Sequence, residues 1–379
     1  MNSNYRFVTG LIAASAMSAP AFAQQPGGSI PPAASVLSVN PKHVRAVPAP
    51  PPWVDPVTAP SNVRAQYGLP PVLPESASPS LKAKWLSGMA ALKKQSSALA
   101  PAAAPIMTET NLANGPNKIA PVTSPSPSTS VAPSTATPLP GGASFAYASS
   151  NNWSGTAVVD ASNPFSVEAV AAEFTVPYAH QGIGKCSGGW IFSSLWPGID
   201  GYGSPDVLQA GVESDAYCNN GTISTYYSAW IEWYPYNETR VSSPAVNPGD
   251  EIYVQVWNTT ATTGYAYIYN ASTGVAASYS LTAPSGTVLR GNSVEWIVER
   301  PGVGGSLATL TNYTGSAWPY GLAWNYAAAS PTYIWQGNTA PANGTFYQIQ
   351  MLDNAGAGIS WPVIENYNFL WFSNYGSSR

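Results

Sequence analysis

From about residue 143 onward, short runs of apolar and aromatic residues alternate with polar ones, and turn-forming residues separate the runs. Alternation with a period of two is typical of a β-strand with one buried face. The pattern predicts strands at 153–159, 168–176, 207–212, 226–234, 251–257, 265–269 and 294–299. Because no helical pattern lies between these runs, they favour an antiparallel sandwich or barrel. Residues 143–379 are enough for one all-β domain.

The first 23 residues have a different character. Arg6 supplies a positive charge, residues 7–17 form a short apolar stretch, and Ala21 and Ala23 make a small-x-small cleavage site. These features predict a signal peptide over residues 1–23. No later run of about 18 apolar residues is free of charges and turn formers, so no membrane span is expected. The sequence therefore predicts a soluble, exported protein.

Residues 24–142 form a third region, rich in Pro, Ala, Ser and Thr. Such a segment buries too little apolar surface to offset the entropy of ordering, so we expect it to be mostly disordered. One short helix is predicted inside it, where four apolar residues recur at helical spacing: Leu81, Trp85, Met89 and Leu92. A helix of this length needs a partner surface to be stable.

Charge divides at the same boundary. Residues 24–142 contain eight basic and three acidic residues, a net charge of +5, whereas residues 143–379 contain five basic and fifteen acidic residues, a net charge of −10. A basic segment can be held on an acidic domain at neutral pH and released when the carboxylates take up protons. Two independently solvated regions would give the same counts, and this alternative stays open.

Cysteine and histidine are scarce. In the oxidising compartment that an exported protein meets, a disulfide between Cys186 and Cys218 is favoured over two free thiols. Two cysteines alone do not form a structural zinc site. His180 is the only histidine of the C-terminal half and its neighbours resemble a loop, so a Ser-His-Asp or Cys-His site would depend on this residue alone. The sequence predicts neither a metal site nor a cofactor.

Carboxylates and amides remain as candidates for chemistry. Because side chains alternate along a strand, three predicted strands each present polar groups on one face, and one of these strands also presents aromatic groups there. These groups are Gln209 and Glu213 on one strand, Trp230, Glu232 and Tyr234 on another, and Glu295 and Glu299 on a third. Polar groups beside aromatic rings on one side of a sandwich would form a cleft that suits an extended polymer.

Seven short motifs follow one another over some 150 residues: Asn152-Trp-Ser-Gly155, Glu173-Phe-Thr-Val-Pro177, Trp196-Pro-Gly-Ile-Asp-Gly201, Leu208-Gln-Ala-Gly-Val212, Ala229-Trp-Ile-Glu-Trp-Tyr-Pro235, Asn247-Pro-Gly-Asp250 and Glu295-Trp-Ile-Val-Glu299. Each motif alone is a weak signal, but their common order is specific. Together they resemble the glutamic peptidases, or eqolisins, over residues 148–300 and less well beyond.

The resemblance implies a two-sheet antiparallel β-sandwich of the jelly-roll or lectin-like type. It also implies a catalytic pair of a glutamine and a glutamate, which match Gln209 and Glu299. The residues that match the family's substrate cleft are Trp196, Asp200, Glu213, Glu232 and Tyr234. Two departures lie at subsite contacts, since Glu213 and Ser228 each stand where the fungal enzymes have aspartate.

As a member of this family the chain would be a secreted acid endopeptidase, extracellular or in transit through a periplasm, and made as a zymogen. Its partners would be protein and peptide substrates and its own residues 24–142 as an intramolecular inhibitor. Neither nucleic acid nor a membrane is expected as a partner, and we expect a monomer. The helix over 81–94 is expected on or near the cleft, and processing is expected to leave a chain that begins near 143–150.

Two other functions suit an exported β protein. Fourteen tryptophans would also suit a glycoside hydrolase or a carbohydrate-binding sandwich. Glycosidase carboxyl groups lie roughly 5 to 9.5 Å apart, whereas Glu295 and Glu299 on one strand would be about 13 Å apart. The third possibility is a non-catalytic adhesion or structural domain, in which Gln209 and Glu299 would have no chemical role.

Overall fold

The computed structural model describes residues 38–39, 41–97, 106–115, 120–122, 144–160, 167–180, 188–313, 317–318, 320–326, 333–335, 344–365 and 369–374. Within these ranges the chain is mostly antiparallel β-structure with two helices, so the mainly β prediction is confirmed. The predicted signal peptide and Cys186 lie outside the described residues. None of the described helices is long and apolar enough to cross a membrane.

The helices are α1 (Ser61–Tyr67) and α2 (Pro79–Ser96). The strands before residue 200 are β1 (Ser38–Val39), β2 (Val44–Val47), β3 (Met107–Glu109), β4 (Leu112–Ala113), β5 (Ala120–Val122), β6 (Ser144–Ser150), β7 (Trp153–Val159), β8 (Ala169–Thr175), β9 (Ala179–His180), β10 (Gly189–Ile191) and β11 (Ser194–Ile199). The later strands are β12 (Val207–Asn219), β13 (Thr222–Tyr234), β14 (Thr239–Val241), β15 (Glu251–Thr260), β16 (Thr263–Asn270), β17 (Val275–Thr282), β18 (Ser293–Glu299), β19 (Gly302–Val303), β20 (Ser306–Leu307), β21 (Asn312–Tyr313), β22 (Ala317–Trp318), β23 (Tyr320–Trp324), β24 (Tyr333–Trp335), β25 (Thr345–Leu352), β26 (Gly358–Glu365) and β27 (Phe369–Asn374).

Two large sheets contain most of these strands. The order along the first is β1-β3-β14-β13-β12-β11-β18-β7-β25-β26-β27-β22, with β10, β5 and β6 paired at its sides. The second has the order β2-β17-β16-β15-β8-β23-β24. Within these sheets the described strand pairs are antiparallel, apart from the parallel pair of β6 and β25. Since β6 is a strand of the first sheet, a chain that began inside 144–150 would lose part of that sheet.

The main core lies between the two sheets. It combines one face of β12, with Leu208, Ala210 and Val212, and residues such as Val254 and Ile268 of the second sheet. Because side chains alternate, this register turns Gln209, Gly211 and Glu213 to the opposite face of the first sheet. The alternation predicted for this strand is confirmed.

Helix α2 packs on the outer face of the second sheet, which corrects the expectation that it lies on or near the cleft. Trp85, Met89 and Leu92 are buried against Tyr253 and Tyr267 in a second apolar cluster. Ser78 caps the helix, since its Oγ accepts the Leu81 N–H at 3.2 Å, and Pro79 follows at the first helical position. The prediction that this apolar stripe forms a helix that needs a partner surface is thus confirmed.

Residues 41–97 contain more structure than the sequence predicts. Helix α1 precedes α2, and its residue Arg64 is buried, with its guanidinium donating to the carbonyls of Pro70 at 2.7 Å and Pro56 at 2.6 Å. Two proline carbonyls thus accept hydrogen bonds from one buried arginine. These hydrogen bonds order a segment whose composition alone indicates disorder. The expectation of a mostly disordered segment with one helix is wrong for this part.

The chain at 106–115 reaches the first sheet. Strand β3 pairs with β14 of the first sheet, and β4 pairs with β19 in a separate three-stranded sheet that also contains β20. The segment 24–142 therefore contacts both sheets, with α2 on the outer face of the second and residues 106–115 at the outer, polar face of the first.

Candidate active site

Gln209 and Glu299 lie on the outer face of the first sheet. Gln209 is on β12 and Glu299 is on β18, the two strands that flank β11. Gly198 of β11 lies opposite both Gln209 on β12 and Glu295 on β18, and Ser194 lies opposite Glu299. Between them, Trp196 donates its indole N–H to Glu299 Oε2 at 2.9 Å. A Cβ on Gly211 would stand 2.8 Å from the Trp196 Cβ and 2.0 Å from the Leu195 carbonyl oxygen. Glycine at 211 therefore makes room for this indole.

The Glu299 carboxyl is buried and bonded on both oxygens. Besides Trp196, Asn152 donates its side-chain N–H to Oε1 at 2.6 Å, and the backbone N–H of Gly115 donates to the same oxygen at 3.1 Å. Burial raises the pKa of Glu299 well above its ordinary value, and the donors, Trp196 first, partly oppose this. The Glu299 carboxyl is thus a group that holds a proton in acid and has donors ready when it ionises.

Gln209 is oriented by its neighbour across the β12–β13 pair. Its Nε2 donates to Glu232 Oε2 at 3.0 Å and also to the carbonyl oxygen of Asn114. Both N–H groups are used, so the side-chain rotamer is fixed. In the part of the chain that the structure describes, no group donates to Gln209 Oε1. Burial, and then the charges of Glu238 and Glu299, raise the pKa of Glu232 well above its ordinary value.

A second polar cluster lies beside the pair and contains Glu213, Asp215, Glu238 and Arg240, all buried. Arg240 donates to Glu238 Oε1 at 2.9 Å and to Asp215 Oδ2 at 3.2 Å. Burial and the Asp215 charge raise the pKa of Glu213, and burial raises the pKa of Asp215 to about 7 although Arg240 opposes it. Two of these carboxylates share one guanidinium, so the cluster accommodates protons more readily than negative charge.

Tyr234 and Asp200 differ in their relation to the pair. A Cβ on Gly115 would lie 2.5 Å from the Tyr234 ring, so this ring covers the chain at residue 115. The Asp200 carboxylate accepts the backbone N–H groups of Arg290 at 2.5 Å, Gly291 at 3.0 Å and Asn292 at 3.2 Å. Those contacts fix the turn before β18 and lie apart from Gln209 and Glu299.

Contacts thus join Trp196, Gln209, Glu232, Tyr234 and Glu299 around Asn114 and Gly115, while Glu213 belongs to the neighbouring cluster. Sequence reasoning missed Asn152 as a site residue, although it opens the first motif of the resemblance. It also missed Asp215, which continues the face of Gln209 and Glu213 at the same period of two. Cys218 is buried on β12, and its disulfide with Cys186 stays a prediction.

The pair lies inside a region that matches a known family. Residues 151–330 match the sequence model of the Peptidase A4 family, which confirms the resemblance to glutamic peptidases. Aspergillopepsin-2 of Aspergillus niger is 30% identical over 179 residues, which are 43% of this chain and 61% of that protein. Scytalidopepsin B of Scytalidium lignicola is 30% identical over 150 residues, 39% of this chain and 51% of that protein. The chain therefore spans between half and two thirds of the length of these relatives.

Two solved glutamic peptidase structures also match. Scytalido-glutamic peptidase, determined with a transition state analog inhibitor, gives a TM-score of 0.46 at 22% identity and covers 59% of this chain and 98% of its own. Aspergilloglutamic peptidase from Aspergillus niger gives a TM-score of 0.39 at 23% identity and covers 48% and 99%.

Proposed function

We propose that this chain is an acid endopeptidase that hydrolyses peptide bonds with Glu299, Gln209 and an activated water, and without a cofactor. One observation carries the proposal. Gln209 Nε2 donates to the carbonyl oxygen of a peptide bond, and Glu299 Oε1 accepts the N–H of the same bond at 3.1 Å. An amide donor at the carbonyl and a carboxyl at the nitrogen are the two groups that peptide hydrolysis needs.

The chemistry follows from these positions. Ionised Glu299 takes a proton from water, whose oxygen adds to the carbonyl carbon while Gln209 Nε2 donates to the developing oxyanion. The carbon–nitrogen bond then breaks, and Glu299 returns its proton to the departing nitrogen. Gln209 stays neutral throughout, and Glu232 keeps its amide in the donating orientation through the 3.0 Å hydrogen bond.

The pKa of Glu299 explains why the proposed reaction proceeds at acid pH. Burial is the main cause of its raised pKa, and Gly115 covers the carboxyl in this structure. When the cleft opens to water, desolvation lessens and the pKa of Glu299 falls toward its ordinary value. In an open cleft the carboxyl would then be ionised in mild acid, where its conjugate acid can still protonate the departing nitrogen.

We extend the proposal to the secretion of the chain, its inhibition before activation, its substrates and its fold. The chain would be secreted as a zymogen whose residues 24–142 inhibit the site, would act on protein and peptide substrates as a monomer, and would have the jelly-roll form of a two-sheet sandwich. Inhibition is supported by Asn114 and Gly115, which use hydrogen bonds of Gln209, Glu232 and Glu299 that a substrate would need.

The decisive test compares Glu299→Gln with Glu295→Gln in digestion of a denatured protein across pH. Both carboxyls are buried on the same face of β18, but Glu295 accepts the Tyr202 N–H at 3.1 Å and lies apart from the pair. We expect Glu299→Gln to abolish hydrolysis and Glu295→Gln to keep it. Near-normal hydrolysis by a folded Glu299→Gln protein would refute the proposal.

A further inference from the structure

Residues 106–115 enter the site in a register fixed by backbone hydrogen bonds. The Ser242 N–H donates to the Ile106 carbonyl at 3.0 Å, and the Thr110 N–H donates to the Glu238 carbonyl at 3.0 Å. The Glu238 N–H then donates to the Leu112 carbonyl at 2.9 Å. An extended segment added beside an edge strand is a common way to bind a peptide. Here it determines which peptide bond reaches the pair.

That bond joins Asn114 to Gly115, and the polar backbone atoms on both of its sides are held. The Asn114 N–H donates to Glu232 Oε2 at 3.0 Å, and the Asn114 carbonyl accepts from Gln209 Nε2. The Gly115 N–H donates to Glu299 Oε1 at 3.1 Å, and the Gly115 carbonyl accepts from Asn152 Nδ2 at 2.7 Å. The reacting groups of the proposed mechanism thus face a single bond of the chain itself.

The two side chains also match their surroundings. The Asn114 side-chain amide is buried and donates to Glu238 Oε2 at 3.2 Å. At residue 115 a Cβ would come within 2.5 Å of the Tyr234 ring, so glycine fits where a larger residue would displace the chain. An amide before the bond and a glycine after it are therefore selected by Glu238 and Tyr234.

We propose that Asn114–Gly115 is the bond at which this chain first cuts itself, an inference that rests on the proposed peptidase function. Water oxygen adds to the Asn114 carbonyl carbon, the bond to the Gly115 nitrogen breaks, and Glu299 carries one water proton to that nitrogen. The products are a carboxylic acid at Asn114, which keeps the other water proton, and an amine at Gly115. This cut keeps β6 in the sheet, whereas a first cut inside 144–150 would remove part of it.

The test incubates the purified full chain at about pH 4, near the ordinary carboxyl range, and sequences the new N-terminus over time. We expect the first terminus at Gly115, with a rate that does not depend on protein concentration, because the bond is already docked within the molecule. Glu299→Gln should give no cut. A first terminus elsewhere, or a Gly115 terminus formed equally fast in Glu299→Gln, would overturn the inference.

Variants locate the bond. Gly115→Val should slow the cut by about tenfold or more, because a displacement of about 1 Å can reduce a rate 100-fold. Gly142→Val, at the junction expected from composition, should cut like the wild type. Asn114→Leu, which loses the bond to Glu238, should also be slow and gives a second variant if Gly115→Val misfolds. Variants at 114 and 115 that both cut at the wild-type rate would refute the docking argument.

Digestion of an added denatured protein in the same samples separates the two proposals. If the wild type digests the added protein and Glu299→Gln does not, the peptidase function stands whichever terminus appears. A wild-type terminus away from Gly115 would then remove only the inference about the first bond. If the wild type digests nothing at any pH after its N-terminal segment is gone, the peptidase function itself fails.

Discussion

Glu299 depends on donors that reach it from two other strands or their flanks. Asn152 precedes β7 and Trp196 lies on β11, so the carboxyl is held by side chains distant in sequence. A donor to the ionised form lowers a pKa, whereas burial raises it. At Glu299 burial is the larger effect, so its pKa is raised while Gly115 covers it.

Removing the amide of Gln209 should reveal its role as an oxyanion donor. We expect Gln209→Ala to reduce turnover by about 100-fold or more on a denatured protein, the scale typical of an oxyanion donor. Gln209→Glu should be comparably poor, because a carboxylate there would lie beside Glu232 and repel the oxyanion. Thermal unfolding of each variant is the control for folding. Turnover of Gln209→Ala within a few-fold of the wild type would assign the oxyanion to another donor.

Asn152 is a positioning residue whose loss should change a pH profile. In Asn152→Ala the carboxylate of Glu299 loses the donor at 2.6 Å, so its pKa should rise. Because the base must be ionised, the acid limb of kcat/KM should move to higher pH. Asn152→Asp is expected to move it further, since a second carboxylate also opposes ionisation. An unchanged acid limb in both variants would show that Asn152 does not set the pKa of Glu299.

The residue types and motifs alone predict Gln209 and Glu299 as a pair, but they do not predict which other residues surround these two. Gln209 and Glu299 occur in motifs, and the structure brings them to one face. Asp200 occurs in a motif too, yet its carboxylate holds the backbone at 290–292, a contact between elements about 90 residues apart that no local pattern encodes. Asn114 and Gly115 stand in a Pro- and Ala-rich region, so their place at the pair follows only from long-range strand pairing.

At the level of elements, β12 and β13 are longer than the alternation predicts. The predicted strands were 207–212 and 226–234, and the observed ones are Val207–Asn219 and Thr222–Tyr234. The residues that follow Val212 in β12 include members of the buried polar cluster. In the sequence alone, these polar residues look as if the strand had already ended. The turn signal was present: Asn220 and Gly221 have φ of 50° and 84°, the positive values of a two-residue hairpin turn.

Helix α2 shows what a stripe of apolar residues does and does not specify. The stripe of Trp85, Met89 and Leu92 predicts a buried helix face, and those side chains are buried. It carries no information on which surface covers it. The outer face of the second sheet presents Tyr253, Trp257 and Tyr267, and the stripe packs in the same apolar cluster as these rings.

The anchoring role of α2 can be measured with substitutions at two neighbouring positions of the helix, one buried and one exposed. We expect Trp85→Ala to lower the free energy of unfolding by about 3–5 kcal/mol, as for other buried tryptophans. Leu86→Ala, at a side chain that is 47% exposed, should change it by no more than about 0.5 kcal/mol. Denaturant unfolding of the uncut Glu299→Gln chain gives both values. Equal effects at the two positions would mean that α2 is not anchored by this face.

For the whole molecule, two kinds of contact give the N-terminal segment opposite pH dependences. Lys84 pairs with Glu251 on an exposed surface, and Lys93 pairs with Asp55 inside the segment itself. Exposed pairs contribute little, about 0–1 kcal/mol. At the pair, burial raises the pKa of Glu232 and Glu299 although the N–H groups of Asn114 and Gly115 lower it, so docking that buries these carboxyls is favoured in acid. Release by charge alone is therefore less favoured than cutting of the docked bond.

The buried carboxyls also predict how stability varies with pH. Burial raises the pKa of Glu213, Glu232 and Glu295, so the folded chain binds more protons than the unfolded chain above the ordinary carboxyl pKa. Their stabilising effect is complete below that value and is lost as pH rises through the folded-state pKa. Thermal unfolding of Glu299→Gln, which cannot cut itself, should give a Tm that falls between about pH 4 and pH 7. A Tm that rises over this interval would contradict the prediction.

The aromatic outer face of the second sheet makes cutting and separation two different events. Hydrolysis at residue 114 breaks the connection, but α2 still covers Tyr253, Trp257 and Tyr267, and apolar packing of this kind does not respond to one lost bond. The cut protein should thus persist as a two-chain particle. Removal of the smaller chain would expose an apolar patch on the larger one, and exposed apolar patches promote self-association. If activation cuts at residue 114, we therefore expect the smaller chain to remain bound and to keep the larger one soluble.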